Sequence, residues 1–148
     1  MNVKRITEDF DLQRVMNIRK EVFVLEQGVP LEDEFDEFDV LDGSCEHVLV
    51  YHELLPVGTG RVRQVDGTGK LERICILSSY RKYGLGKVII QALEEVVREQ
   101  GLSQVKLHGQ TQAEGFYQKL GYRTASDVFM EDGIPHVLMT KTLSPTYA

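Results

Sequence analysis

The run Arg81-Lys82-Tyr83-Gly84-Leu85-Gly86 has the residue types and the spacing of a phosphate-binding turn. Glycines leave backbone N–H groups open to a phosphate, because they carry no side chain that would keep it away. The first turn of a helix adds free N–H groups and the positive end of the helix dipole. The arginine and the lysines, including Lys87, add positive charge there. We interpret this run as a pyrophosphate cradle, with a glycine-rich turn carrying solvated basic side chains as the alternative.

The flanking patterns predict the strand and the helix that such a cradle needs. Residues 71–77 first alternate between apolar and charged side chains and then form a short apolar run, which is typical of a buried strand. Apolar residues recur at helical spacing over 84–100. Other phosphate motifs do not fit, since there is no Gly-x-Gly-x-x-Gly fingerprint and Gln64 stands where a Walker loop needs its first glycine. Residues 67–70 therefore predict a hairpin turn.

The whole chain follows the element order βαββ(β)αβαββ, which predicts a mixed sheet flanked by helices. The predicted strands are 3–7, 47–54, 58–65, 71–77, 104–108, 122–130 and 135–142, and the predicted helices are 10–26, 84–100 and 111–120. Residues 32–43 predict a loop with at most one helical turn. We expect one domain over residues 1–148, because the length suits one core and no linker or repeat interrupts the pattern.

Residues 110–122 form a second motif, which supports the interpretation of residues 81–86. Ala113, Phe116 and Tyr117 fall on one helical face, and Gly121 is placed to end that helix. Together the two segments resemble the GNAT superfamily of acetyl-CoA-dependent N-acetyltransferases. Its motifs are Arg/Gln-x-x-Gly-x-Gly/Ala and Asn-x-x-Ala-x-x-Phe-Tyr-x-x-x-Gly-Phe/Tyr. Gln110 stands at the usual asparagine position and departs from the pattern.

The N-terminal region narrows the resemblance to the ElaA/YjcF-like bacterial branch. Residues 19–30, followed by Glu34 and Asp36, look like the opening of these proteins, and Leu107-His108-Gly109-Gln110 is similar to their Leu-His-Ala-Gln. The resemblance implies a GNAT-like fold, with a mostly antiparallel sheet splayed between its fourth and fifth strands. It also implies that acetyl-CoA lies in this gap and that coenzyme A is a product. The acceptor is then a primary amine that attacks directly in a ternary complex.

The resemblance further implies roles for individual residues. A charged amine must lose its proton before it attacks, and Glu72 or His108 is the expected base, whereas Tyr117 is the expected acid for the departing thiolate. The residues expected to bind the cofactor are Ile74, Cys75, Ile76, Arg81, Lys82, Tyr83, Gly84, Leu85, Gly86, Lys87, Gln110, Phe116 and Tyr117, and those expected to bind the acceptor are Phe23, Glu26, Gln27, Glu34 and Asp36. No metal is expected. Structural roles stay open for all three catalytic candidates: a surface strand carboxylate, a core histidine and a core aromatic.

The charge of the chain is unevenly distributed. The net charge is −6, and positions 32–42 carry seven acidic residues and no basic one. Such a loop would attract a polyamine, an aminoglycoside-like sugar or a lysine side chain, unless it is only a solvated acidic loop. An acidic chain is a poor ligand for nucleic acid. Cys45 and Cys75 lie in apolar contexts that predict core packing, with a catalytic thiol at Cys75 as the alternative.

Several properties of the whole protein follow as expectations. No apolar run reaches membrane-spanning length and the N-terminus lacks a signal-peptide pattern, so we expect a cytoplasmic protein without membrane contact. Dimers are frequent in the resembled family, so a homodimer is an expectation that no pattern in the sequence marks. The functional alternative is a domain that binds acyl-CoA as a sensor or partner subunit without turnover. A flavodoxin-like or nucleotide-binding domain fits less well, because the chain has a single phosphate turn and an antiparallel ending.

Overall fold

A computed structural model describes residues 2–144 as one sheet with helices on both faces. The strands are β1 (Val3–Arg5), β2 (Glu46–His52), β3 (Leu55–Val65), β4 (Thr68–Ile76), β5 (Gln104–Gln110), β6 (Arg123–Thr124), β7 (Phe129–Glu131) and β8 (Ile134–Thr142). The α-helices are α1 (Asp9–Arg19), α2 (Leu31–Glu34), α3 (Leu85–Glu99) and α4 (Glu114–Lys119). A π-helical segment (Lys20–Glu26) continues α1, and 3₁₀ turns span Ser78–Tyr83 and Thr111–Ala113. The mixed α/β class is thereby confirmed.

The sheet opens between its fourth and fifth strands, as the resemblance implies. Its strand order is β1-β2-β3-β4-β5-β8-β6, with β7 paired to β8, and only β4 and β5 run parallel. These two strands pair over just three residues each, Gly69–Leu71 against Val105–Leu107. Beyond this ladder, β4 continues to Ile76 and β5 to Gln110 with no further pairing between them. The facing edges of the two strands therefore border a gap.

Helix α3 covers one face of the sheet and α1 covers the other. The apolar stripe of α3 includes Leu85, Ile89 and Leu93, which are buried against side chains of β2 to β5. A second cluster packs Val15 and Ile18 of α1 against strand residues on the opposite face. Burial of apolar surface on both faces stabilises the sheet and holds the open edges of β4 and β5 in place.

Two of the predicted elements are wrong in detail. The strand predicted over 122–130 is divided into β6 and β7, because the Ser126 hydroxyl accepts the Leu138 N–H at 2.9 Å and replaces a ladder bond. The helix predicted over 10–26 changes its hydrogen bonding after α1, since the N–H of Gln27 donates to the carbonyl of Val22, five residues earlier. The wider turn brings the end of this segment towards the gap.

The hairpin turn predicted at residues 67–70 lies earlier, at Asp66 and Gly67, which join β3 to β4 with positive φ values of 52° and 76°, and residues 68–70 already belong to β4. Such paired left-handed residues are typical of two-residue hairpin turns. None of the helices between residues 2 and 144 combines the length and the apolar composition needed to cross a bilayer.

Candidate active site

A cavity of about 690 Å³ occupies the gap between β4 and β5. The predicted site residues that line it are Phe23, Gln27, Asp36, Glu72, Ile74, Cys75, Ile76, Arg81, Gly84, Gly86, His108, Gln110, Phe116 and Tyr117. The predicted residues outside this lining are Glu26, Glu34, Lys82, Tyr83, Leu85 and Lys87. The structure thus brings most of both predicted sets to one cavity, at the place where the strands separate.

The N-terminus of α3 offers an open anion site at one end of this cavity. Gly84 has a left-handed φ of 71°, and no side chain among residues 2–144 caps the helix that follows it. A Cβ built on Gly84 would meet no atom within 4 Å, so the approach to the helix start is open. At Gly86 a Cβ would lie 3.1 Å from Cζ of Phe116. Close packing against Phe116 therefore favours a glycine at position 86. These features fit a pyrophosphate group.

Arg81 joins the cradle to the segment that follows α1. Its guanidinium donates two hydrogen bonds to the Glu26 carboxylate, at 2.7 and 2.6 Å, and Nε donates to the Ile76 carbonyl at 2.9 Å. These bonds lower the pKa of Glu26 and raise that of Arg81. The Glu26 carboxylate is therefore directed to Arg81, which reduces its availability to an acceptor amine.

The other members of the predicted cradle lie around it in different ways. Tyr83 stacks on His52 with ring centroids 4.0 Å apart, and Lys82 Nζ lies 5.5 Å from the centre of the Tyr83 ring. Leu85 is buried in the core, whereas Lys87 is exposed. Of these four residues, the lysines are the ones whose charge can act on an anion at the helix start.

Tyr117 is held beneath the cavity by the β5–α4 connection. Its ring is close-packed, since a Cβ on Gly109 would lie 3.2 Å from its Cδ2 and Cε2 atoms. Burial raises the pKa of Tyr117 to about 12, so the phenol keeps its proton at neutral pH. The hydroxyl has no hydrogen-bond partner among residues 2–144, which leaves it free to donate.

His108 is oriented by a carboxylate that the sequence analysis did not identify. Its Nδ1 lies 2.8 Å from Oε1 of Glu131, and its ring packs edge-on against Phe129 with centroids 5.0 Å apart. The other oxygen of Glu131 lies 3.8 Å from Nε2 of His136. When Nδ1 of His108 carries the proton and donates it to Glu131, Nε2 is left as the basic nitrogen. The partnership arises because β8 places the β7–β8 hairpin beside β5, which is a non-local contact.

Glu72, the alternative base, is surrounded by cations. Its carboxylate accepts hydrogen bonds from Arg61 and Arg63 at 3.1 and 3.0 Å and pairs with Lys70 at 2.9 Å. Burial alone would raise the pKa of Glu72, but the hydrogen bonds from Arg63 and Lys70, with the charge of Arg61, lower it to about 2. A carboxylate that holds its charge so strongly is a weak base.

Three carboxylates of the acidic loop pair with buried arginines. Arg19, which is 1% exposed, pairs with Glu34 at 2.9 Å and with Asp39. Arg61, 3% exposed, pairs with Asp36 at 2.8 Å and with Asp39 at 2.9 Å. Burial raises the pKa of Glu34, whereas the hydrogen bonds from Arg61 outweigh burial and lower the pKa of Asp36. Glu34 and Asp36 therefore face arginines, which weakens the attraction of this loop for a cationic acceptor.

Two predicted binding residues meet across the cavity. Gln110 at the end of β5 donates from Nε2 to Oε1 of Gln27 at 3.0 Å. Phe23 also lines the cavity, on the side of β4. This contact links the predicted cofactor side to the predicted acceptor side.

The two cysteines are free and buried. Desolvation raises the pKa of the Cys45 thiol to about 12 and raises that of Cys75 as well. Both thiols therefore stay protonated, and this chemistry favours the core-packing interpretation over a nucleophilic Cys75.

Comparison with known proteins decides the family. The family described as "Acetyltransferase (GNAT) domain" matches residues 6–143 of the chain. The chain belongs to the GNAT acetyltransferase family. It is an acetyltransferase of this type, as the two sequence motifs predict.

The relatives of this acetyltransferase also confirm the predicted branch. A Bacillus subtilis protein named as an acetyltransferase is 70% identical over 141 residues, covering 95% of this chain and 96% of its own. YjcF of B. subtilis, named as an N-acetyltransferase, is 49% identical over 131 residues, covering 88% of this chain and 91% of its own. The solved structure of ElaA from Escherichia coli has a TM-score of 0.83 at 25% identity, covering 95% of this chain and 99% of ElaA.

Proposed function

We propose that this acetyltransferase transfers the acetyl group of acetyl-CoA to a primary amine, by direct attack in a ternary complex. The observation that carries the proposal is the position of Tyr117 and the His108–Glu131 pair, which line one cavity at the splayed strands. An unpartnered phenol and an oriented imidazole are the acid and the base that this reaction needs.

The residues available to hold the cofactor are those of the cradle and the open strand edge. The N-terminus of α3, with Gly84 and Gly86, would bind the pyrophosphate, and Lys82 and Lys87 would add positive charge. The edge of β4 over residues 74–76 would bind the extended arm through its main chain. An aminoglycoside 6′-N-acetyltransferase of the same fold, with a TM-score of 0.75 at 16% identity, was solved with coenzyme A. When bound, acetyl-CoA supplies an activated acetyl thioester.

His108 is the favoured base. A lysine-like ammonium with a pKa of about 10.4 must lose a proton before the nitrogen can attack. Nε2 of His108 would accept this proton, either directly or through water, while Glu131 stabilises the resulting imidazolium. Glu72 remains the second candidate base, although its salt bridges stabilise the charged carboxylate and make it a weaker base.

Tyr117 is the proposed acid. As the amine nitrogen forms the new amide bond, the bond between the acyl carbon and sulfur breaks and a thiolate must leave. The Tyr117 hydroxyl would donate its proton to this sulfur, and its raised pKa ensures that the proton is present at neutral pH.

Replacement of the phenol tests this proposal. Tyr117→Phe keeps the ring and removes the proton donor, so we expect kcat to fall by about 100-fold or more while the Kd for acetyl-CoA changes little. Steady-state thiol release and calorimetric titration with acetyl-CoA measure the two quantities. Tyr51→Phe is the matched control, because the Tyr51 hydroxyl on β2 accepts a hydrogen bond from Arg14 of α1 and does not line the cavity. A Tyr117→Phe enzyme with unchanged kcat would remove Tyr117 from the mechanism.

A further inference from the structure

Arg73 lies at an irregular point of β4, on the wall of the cavity. Thr59 pairs with Cys75 and Arg61 pairs with Glu72, so Arg73 and Ile74 together oppose the single residue between them on β3. This is a β-bulge, and Arg73 takes a positive φ of 55°. A positive φ costs free energy in a non-glycine residue, and residues with such strained backbone angles cluster at functional sites. The bulge re-aims the side chain, which lines the cavity.

The Arg73 guanidinium has unused hydrogen-bonding capacity. Its Nε is buried without a hydrogen-bond partner, and it lies 3.3 Å from Oε2 of Glu34 without the geometry of a bond. Within residues 2–144, the Arg73 guanidinium donates no hydrogen bond, whereas those of Arg19 and Arg61 each donate several to carboxylates. A guanidinium has five N–H donors arranged to match the two oxygens of a carboxylate. Arg73 therefore has donors left for a ligand.

The charges around Arg73 also favour an anion. The network on this wall has five cationic side chains and four carboxylates: Arg19, Arg61, Arg63, Lys70 and Arg73 against Glu34, Asp36, Asp39 and Glu72. The network thus has one more positive than negative charge. Arg73 is its arginine whose guanidinium donates no hydrogen bond within residues 2–144. The carboxylate of Glu131 lies instead at His108, where the acceptor amine must react.

We propose that Arg73 binds a carboxylate of the acceptor, so that the acceptor is an amine that also carries a carboxylate, as an amino acid does. The proposal rests on the proposed function, because it places the amine at His108 and the carboxylate at Arg73 in the same cavity. Phe23, whose ring centre lies 6.0 Å from the Arg73 guanidinium carbon, lines the cavity beside them. This class of acceptor differs from the cationic polyamines that the acidic loop suggests when it is considered as sequence alone.

Matched amines test this assignment through both turnover and binding. The first probes are L-lysine and cadaverine, which differ only by the carboxylate, followed by a panel of amino acids and their α-carboxamides. We expect kcat/KM to be about tenfold to 100-fold higher for the best carboxylate amine than for its matched partner, because a charge-assisted hydrogen bond contributes on that scale. Calorimetric titration of the same amines into the protein gives a readout that is independent of turnover.

Variants at position 73 then assign the preference to the arginine. Arg73→Gln should remove the preference by lowering kcat/KM for the carboxylate amines to that of their matched partners, and Arg73→Lys should retain part of the preference with the charge beside Glu34 preserved. Arg123→Gln, an exposed arginine on β6, is the control. The melting temperature and the Kd for acetyl-CoA show whether each variant is folded. If Arg73→Gln does not fold, the proposal is tested by Arg73→Lys and by the comparison of matched amines on the wild-type enzyme.

The outcomes separate this inference from the proposed function. Equal kcat/KM for carboxylate and carboxamide partners, in an enzyme that acetylates amines, would contradict the role of Arg73 and leave the transferase intact. Absence of transfer to any amine would contradict the proposed function. In that case, amino acid binding that Arg73→Gln abolishes would still support the carboxylate site, and absence of amino acid binding would contradict it.

Discussion

Glu131 holds His108 through a single hydrogen bond of 2.8 Å, and the account of proton removal depends on this contact. Glu131→Gln retains the size of the side chain but loses the charge that stabilises the imidazolium. We expect kcat to fall by about tenfold to 100-fold with little change in the KM for acetyl-CoA, because the carboxylate acts through the base. A fall in kcat with an unchanged KM and an unchanged melting temperature separates this role from a purely structural one.

The comparison for this variant is Glu95→Gln, a carboxylate on α3 that pairs only with Arg98 at 3.5 Å. Its kinetics should match the wild type. A Glu131→Gln enzyme with the wild-type kcat would show that Glu131 does not support catalysis.

Local motifs predict the residues of the cradle and Tyr117. They do not predict which charged side chains pair with His108 or Glu72. The motif residues act through the backbone of one turn or one helix, so their spacing carries the information. Glu131 meets His108 only because β8 lies between their strands. Arg19 did leave a signal, since it falls on the apolar stripe with Val15, Ile18 and Val22, and a charge on that stripe requires buried carboxylates.

At the scale of elements, the start of α3 is the proposed site for the pyrophosphate of acetyl-CoA. Gly84→Ala forces a left-handed φ on a residue with a Cβ, which costs about 1–2 kcal/mol of stability, and it places a methyl group where a phosphate would approach. We expect the Kd for acetyl-CoA to rise by about tenfold, on the scale of one lost hydrogen bond to a charged group. Calorimetric titration measures the change.

Gly115→Ala is the control for this substitution, because Gly115 lies in α4, has no positive φ, and has open space around its Cβ position. Alanine favours a helix, so this variant should bind acetyl-CoA normally and be no less stable. Unchanged affinity in a folded Gly84→Ala enzyme would contradict the cradle.

The class, the order and the splay of the elements could be predicted, whereas their irregular parts could not. The stripe of α3 and the alternation in β4 predict a regular helix and strand. The π-helical turn at Lys20–Glu26 and the bulge at Arg73 depend on packing against distant elements. These two irregularities bring Phe23, Gln27 and Arg73 to the cavity, so the acceptor side is the part that sequence patterns describe least.

At the scale of the whole molecule, the buried charge network links stability to pH. The pKa of Glu72 is about 2 in the folded chain against an ordinary value of 4.5, so its stabilisation is fully present above about pH 4.5 and is lost as the pH falls towards 2. The lowered pKa of Asp36 acts in the same direction. Glu34 opposes them, because a raised pKa favours the protonated folded form. We expect the free energy of unfolding in urea to decrease between pH 4.5 and 2.

Glu72→Gln should flatten this pH dependence and cost about 3 kcal/mol at neutral pH, since three cations lose their shared partner. Glu37→Gln, which changes an exposed carboxylate of the acidic loop beside Asp36, is the control and should change neither quantity. A Glu72→Gln protein with the wild-type pH dependence would contradict the proposed role of the network. If its kcat also fell as far as that of Tyr117→Phe, Glu72 would replace His108 as the base.

The excess of negative charge lies in a loop that folding neutralises in part. Seven carboxylates between positions 32 and 42 predicted a cation-attracting loop, but Glu34, Asp36 and Asp39 are paired with arginines that are distant in sequence. Charge counted along a chain does not distinguish a solvated carboxylate from one that is neutralised on folding. The side chains that face the cavity are therefore a better basis for choosing acceptors than the composition of the loop.

The most direct test of the central claim is an assay for amine-dependent release of coenzyme A from acetyl-CoA, with the N-acetyl product identified by mass spectrometry. We expect product from at least one amine, with amino acids ahead of their carboxamides, and loss of product in Tyr117→Phe while acetyl-CoA still binds. Binding of acetyl-CoA without an N-acetyl product from any amine would contradict the account and favour a domain that senses acyl-CoA.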